Sequence, residues 1–139
     1  MADIAITAAQ VAVIDPLKAE ILDFVAAETI TQGQIVYITT SGTVGVADAN
    51  ASGKQQARGV ALNGGGAGQA ISVLKRGRCA GFTLTQDASI PLYLSDTAGA
   101  LEDGGAETMV VPCGIVICMP DKAATKVFYA DFRWGPDWA

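Results

Sequence analysis

The residue types that carry most catalysis are thinly supplied in this chain. It has 139 residues, three cysteines and no histidine. Without histidine there is no Ser–His–Asp or Cys–His pair. Cys79, Cys113 and Cys118 form no C-x-x-C, and zinc wants four ligands that often include histidine, so no metal site is expected. Cys113 and Cys118 lie in an apolar run, where cysteine behaves as a small hydrophobe. Glu102–Asp103 is the one adjacent acidic pair, and it sits in a glycine-rich turn. A paired-carboxylate hydrolase is therefore a poor fit, and no catalytic residue or cofactor is expected. Asn63–Gly68, NGGGAG, lacks the lysine–serine pair and the following helix of a phosphate-cradling loop. Its glycines are read as a loop that needs positive φ.

Charge narrows the partners. The net charge is −5, which opposes nonspecific nucleic-acid binding, since that affinity comes from neutralising phosphates. The one basic cluster, Lys75, Arg76 and Arg78, suits a hairpin tip or acidic neighbours better than a phosphate. Half the residues are hydrophobic and 17% are charged, against a usual charged share of about 25%. Yet no run approaches the roughly 20 apolar residues of a membrane-spanning helix. The apolar surplus is expected in subunit contacts or contacts with another protein. Reduced thiols and the lack of a signal-peptide pattern suit synthesis in a cytosol.

The elements that would position any site are strands. Gln34–Thr39 alternates apolar residues on both faces, Ile35 and Tyr37 against Val36 and Ile38, so it is expected to be covered on both sides. Ser41–Gly42 turns it into Thr43–Val46, and Asp48–Gly53 is a polar loop before a strand at Gln55–Leu62. Gln69–Leu74 follows as strand, with a turn expected at Arg76–Gly77 into Arg78–Leu84. Ile90–Leu94, Thr108–Met119 and Lys126–Phe132 complete the set, with a bulge expected near Pro112 and Gly114. Asp15–Pro16 could open a helix, and Leu17, Ile21 and Phe24 have helical spacing. The alternation of Ala19–Val25 favours strand instead. Residues 1–14 read as an extended arm with apolar teeth at Ile4, Ile6, Val11 and Val13.

Landmarks recur about 55 residues apart: Tyr37 and Tyr93, Thr31 and Thr85, Gly59 and Gly114. Duplication of a β-unit (28–75 and 84–132) would produce this, and so would generic strand–turn grammar. Either way the expected fold is all-β. It is a compact sandwich or barrel with two β-units over 15–132, an N-terminal arm at 1–14 and a tail at 133–139.

The run AETITQGQIVYI, then TVGVADANASGKQQARGVALNGGGAGQAISVLKRGR, and later PLYLSDTAGAL and KVFYADF resemble the decoration (cement) proteins of tailed-bacteriophage heads. The shared grammar is an E-x-I-x-x-G-Q-x-V-Y strand, a small-residue A-x-A-N-A loop and an A-x-G-V-A-L strand before a glycine-rich loop. The resemblance covers roughly Ala27 to Phe132. It implies a non-enzymatic structural protein on the outer capsid surface of the virion. Such a protein is commonly a homotrimer that bridges neighbouring major capsid proteins. Contact residues are expected at the ends of the chain and in the basic cluster: Ile4, Ile6, Val11, Val13, Arg76, Arg78, Trp134 and Trp138. The competing reading is a carbohydrate- or ligand-binding β-module on a virion or cell surface.

Overall fold

The computed structural model describes residues 3–104, 110–119 and 122–134. Half of the described residues are strand and 5% are helix. The strands are β1 (Ala5–Ile6), β2 (Ala12–Val13), β3 (Glu20–Val25), β4 (Ile35–Ile38), β5 (Val44–Val46) and β6 (Ala57–Ala61). They continue with β7 (Ala70–Ala80), β8 (Phe82–Thr83), β9 (Pro91–Leu94), β10 (Leu101–Glu102), β11 (Pro112–Met119) and β12 (Lys122–Asp131). One antiparallel sheet of ten strands runs β10-β9-β11-β12-β7-β6-β4-β5, with β2 and β3 also paired to β7. It curls into a half-barrel, and β1 and β8 form a small second sheet.

The sheet order reads as two copies of one pattern. The set β5-β4-β6-β7 and the set β10-β9-β11-β12 have the same connectivity, and they join where β7 pairs with β12. The match extends to register. Val36 faces Gly59 and Tyr37 faces Ala57, which leaves Arg58 as the extra residue of a bulge. In the second set Leu92 faces Gly114 and Tyr93 faces Pro112, which leaves Cys113 extra. Val60 faces Leu74 as Ile115 faces Tyr129. The glycine beside each bulge has one cause. A Cβ on Gly59 would strike the Val73 side chain and come within 2.7 Å of the Leu74 carbonyl oxygen. A Cβ on Gly114 would strike the Tyr129 carbonyl oxygen and come 2.7 Å from the Phe128 ring.

Two apolar clusters fill the fold. The larger includes Ile35, Val60, Leu74, Leu92, Leu94, Phe128 and Phe132, with the ring of Phe128 edge-on to Phe82 at 5.2 Å. The smaller holds Ile30, Val36, Val44, Ile71 and Val73. Thus β4 is covered on both faces, as its alternation requires: Ile35 belongs to one cluster and Val36 to the other. Each such side chain contributes about 1.5–3 kcal/mol on full burial.

The first thirty residues close both ends of the sheet. Residues 16–18 form a single 3-10 turn, and the chain then enters β3, so the strand reading of 19–25 holds. β3 pairs with β7, and its continuation, Ala26, bridges Val44 of β5. Ala27 donates its N–H to the Val44 carbonyl at 2.8 Å, and Val46 donates to Glu28 Oε2 at 3.1 Å. At the opposite end Asp3 bridges Glu102, and Ile4 donates to the Leu101 carbonyl at 2.8 Å. Both outermost strands are therefore capped, which blunts edge-to-edge pairing.

Two expectations need correction. The arm does have internal partners: β1 pairs with β8, and β2 with β7. There is also no turn at Arg76–Gly77, because β7 runs unbroken from Ala70 to Ala80. Gly77 (φ +140°) is instead the crossing point for the start of β3, since a Cβ there would lie 2.8 Å from the Ala19 methyl.

The repeated glycines generate a stability prediction. Gly114→Ala forces backbone strands apart and is expected to destabilise the fold by about 1–3 kcal/mol. Gly66→Ala meets nothing closer than Gln69 Oε1 at 3.8 Å, and its φ is ordinary, so it should be neutral or slightly stabilising. Urea denaturation of the two variants checks the contrast, and equal stabilities would contradict the close approach.

Candidate interface and surface groove

The expected contact residues separate into an inner and an outer group. Ile4 and Val11 are inside, at 5% and 3% exposure, and Ile6 and Val13 pack half-buried against the same cluster. Two glycines make the seat. A Cβ on Gly33 (φ +95°) would lie 2.7 Å from Ile6 and 2.9 Å from Val11, and one on Gly81 (φ +99°) would lie 2.6 Å from Val11. Gln32 Nε2 donates to the Val11 carbonyl at 2.6 Å. The arm's apolar teeth, expected at a partner, are thus spent on the chain's own core.

The basic cluster lies on a central strand rather than at a hairpin tip. Lys75 pairs with Glu20 at 3.3 Å and Arg76 with Asp131 at 3.1 Å, the latter between strands in register. Both pairs are partly solvated, so each adds little stability. Arg78 differs. Its Nε is buried without a hydrogen bond, and it lines a pocket of ≈ 220 Å³ with Asp15, Lys18, Gly77 and Tyr129. Leu17, beside this pocket in sequence, is 97% exposed.

Trp134 lies half-buried across the bulge of the first unit. Its Nε1–H donates to the Arg58 carbonyl at 2.8 Å, and Arg58 Nη1 donates back to the Arg133 carbonyl at 3.1 Å. The Lys75 ammonium stands 5.1 Å above the indole, within cation–π range, and Phe24 is 6.2 Å away. Trp138 falls outside the described residues. Beside Trp134 opens a groove of ≈ 600 Å³ lined by Tyr37, Ile38, Gly53, Gln55, Gln56, Arg58 and Trp134. Of these only Trp134 was expected at a contact. The others come together through the bulge and the loop after Asp48, and no periodicity in the sequence signals that meeting.

The acidic pair also departs from expectation. Glu102 is not a surface-loop acid: it belongs to β10 and is 7% exposed, with Oε1 buried and unpartnered. Asp103 accepts from Gln86 Nε2 at 3.0 Å, and Asp3 accepts from Ser95 Oγ at 2.5 Å. Burial first, then the carboxylates of Asp3, Asp96 and Asp103, raise the Glu102 pKa above its ordinary value, and the terminal amine opposes them. No group of three or more His, Cys, Asp or Glu among the described residues is arranged to hold a metal ion. Cys79 and Cys113 are buried, and burial pushes the Cys79 thiol up to about 12 and raises Cys113 as well. Cys118 is half-exposed.

Two measurements test this arrangement. Glu102 holds its proton more tightly in the folded chain than in the unfolded one. That linkage stabilises the fold in acid, and the stabilisation is lost as pH rises through the raised value. Glu102→Gln should therefore raise the thermal midpoint near neutral pH, with the gain shrinking as pH falls through the raised value and gone below the ordinary glutamate value of 4.5. A pH-independent difference would contradict it. For the thiols, a disulfide reagent should label Cys118 promptly in the native protein, and Cys79 and Cys113 only on unfolding. Mass spectrometry of the labelled peptides reads the order.

No helix among the described residues is long and apolar enough to cross a membrane. Comparison of the chain with protein-family models, with curated proteins and with solved structures finds no match.

Proposed function

We propose that the chain is a structural virion protein. It binds the outer surface of a phage capsid and stabilises the shell by bridging neighbouring major capsid proteins. The ordered motifs of the sequence carry the resemblance to head-decoration proteins. The structural observation that supports the reading best is the paired architecture. A bridge needs two separated contact surfaces held at a fixed distance. Two units of equal connectivity and register, joined in one continuous sheet, supply such a frame.

Contact would fall on the exposed side chains rather than on the arm. Leu17 and Val110 are the most exposed large apolar residues described, and Trp134, Arg76 and Arg78 reach the surface in part. Tryptophan and arginine are the side chains that anchor interfaces most often. The mechanism is linkage. A ligand that binds only the mature shell stabilises it, by about 2.7 kcal/mol at a free concentration one hundred times Kd. Three copies around a local three-fold would multiply the contacts, and the self-association proposed here is a homotrimer.

The experiment is co-sedimentation with empty expanded capsids assembled from the cognate major capsid protein. Saturable binding and a higher thermal midpoint of the shell are expected. Trp134→Ala is expected to weaken binding by roughly tenfold, the scale of a moderate hot spot. Failure to co-sediment at any ratio overturns the proposal. Light scattering of the free protein tests the trimer, and a monomer both in solution and on the shell removes it.

A further inference from the structure

We propose that the groove between Tyr37 and Trp134 is a saccharide-binding site, a role separate from shell binding. The first argument is the departure from the repeat. The two units share strand order, register, bulge and close-approach glycine, all of which the fold requires. They differ in what the bulge carries. In the second unit the extra residue, Cys113, is buried in the core. In the first unit it is Arg58, which lines a groove of ≈ 600 Å³ and holds the segment bearing Trp134. The second unit's counterparts of Ile38 and Arg58, Leu94 and Cys113, are both buried in the core. The volume of the groove is on the scale of small-ligand sites.

The second argument is the chemistry of the walls. Tyr37 lies against its cross-strand partner Gly45: a Cβ there would be 2.8 Å from Cε1 and 3.2 Å from Cζ of the ring. The ring is thus backed by main chain and fixed as a platform. Trp134 has its N–H committed to Arg58, so its contribution to a ligand is the indole surface. Between them stands the Gln55 amide. Gln55 has one N–H tied to the Ala49 carbonyl at 2.8 Å, which fixes the side chain and leaves its oxygen and second N–H for a ligand. A sugar ring offers an apolar C–H face to stack on aromatics and hydroxyls for a planar amide. No carboxylate is found among the described residues of the lining.

An extended peptide suits the site less well. Peptides that add to sheets need a free strand edge. β4 is paired on both sides, by β5 and β6, and β6 by β4 and β7. Ile38 is the one aliphatic side chain among the described residues of the lining, too little to anchor an amphipathic helix.

The test uses the full free chain and needs no capsid. An array of neutral and acidic glycans selects candidates, and maltotriose, chitotriose and trigalacturonate are titrated by NMR. Saturable shifts confined to Tyr37, Gln55 and the Trp134 indole are expected. Tyr37→Ala should weaken binding by about tenfold or more, while Tyr37→Phe keeps the platform and costs only a few-fold. Because Tyr37 also covers Gly45, the wild-type shift map stands as a readout that does not depend on either variant folding. The proposal is overturned if no glycan on the array binds and none of the three trisaccharides shifts the groove. It is equally overturned if shifts fall elsewhere, or if an unstructured peptide, and no saccharide, occupies the groove.

Discussion

The pairing of β7 with β12 is the interaction on which the rest of the structure rests. It runs from Cys79 opposite Phe128 to Arg76 opposite Asp131, and it is the strand seam between two four-strand sets, which also meet where Gly99 bonds Ile35 and Ala47. A single ladder of this kind turns two curled sheets into one and places Phe128 and Phe132 where both sets can bury them. The seam is also where β7 changes neighbours. Its first half pairs with β3 and β6, and its second half with β2 and β12. That exchange needs room for the chain entering β3, and Gly77 gives it. A longer side chain at this point would strain the crossing and the seam together.

Several features were legible before any coordinates. Alternation located β4, β6, β9 and β11 and gave β4 two buried faces. The spacing of tyrosines and glycines fitted two related units and generic strand–turn grammar alike. The structure gives that spacing a physical meaning, because Gly59 and Gly114 stand at the same close approach beside the same bulge. Proline and glycine near 112–114 were correctly read as a bulge.

The parts that were not legible share one cause: they depend on contacts between residues distant in sequence. Gly77 looks like a turn because glycine usually serves turns, whereas here it serves a crossing. Gly33 and Gly81 gave no local hint that together they receive Val11. Glu102 looked like a solubilising acid because glycines follow it, yet β10 and the arm enclose it. The groove is the clearest case. Arg58 reaches it only because a bulge shifts the register by one residue, and the polarity pattern of 55–61 is silent about that shift. Site chemistry set by register is visible only after the register is known.

The seating of the arm also bears on how the chain folds. Asp3 and Ile4 find their partners at Glu102 and Leu101, nearly the whole domain away in sequence. Contacts of such long separation close a large loop, and they form late because the entropy of closure precedes the reward. Asp3 and Ile4 are therefore expected among the last residues to reach their place. Until then Ile4 and Val11 remain exposed on a segment whose docking surface is already complete. A neighbouring copy would present that surface equally well, so the kinetics of self-docking govern whether the arm ends in its own subunit or is exchanged with another.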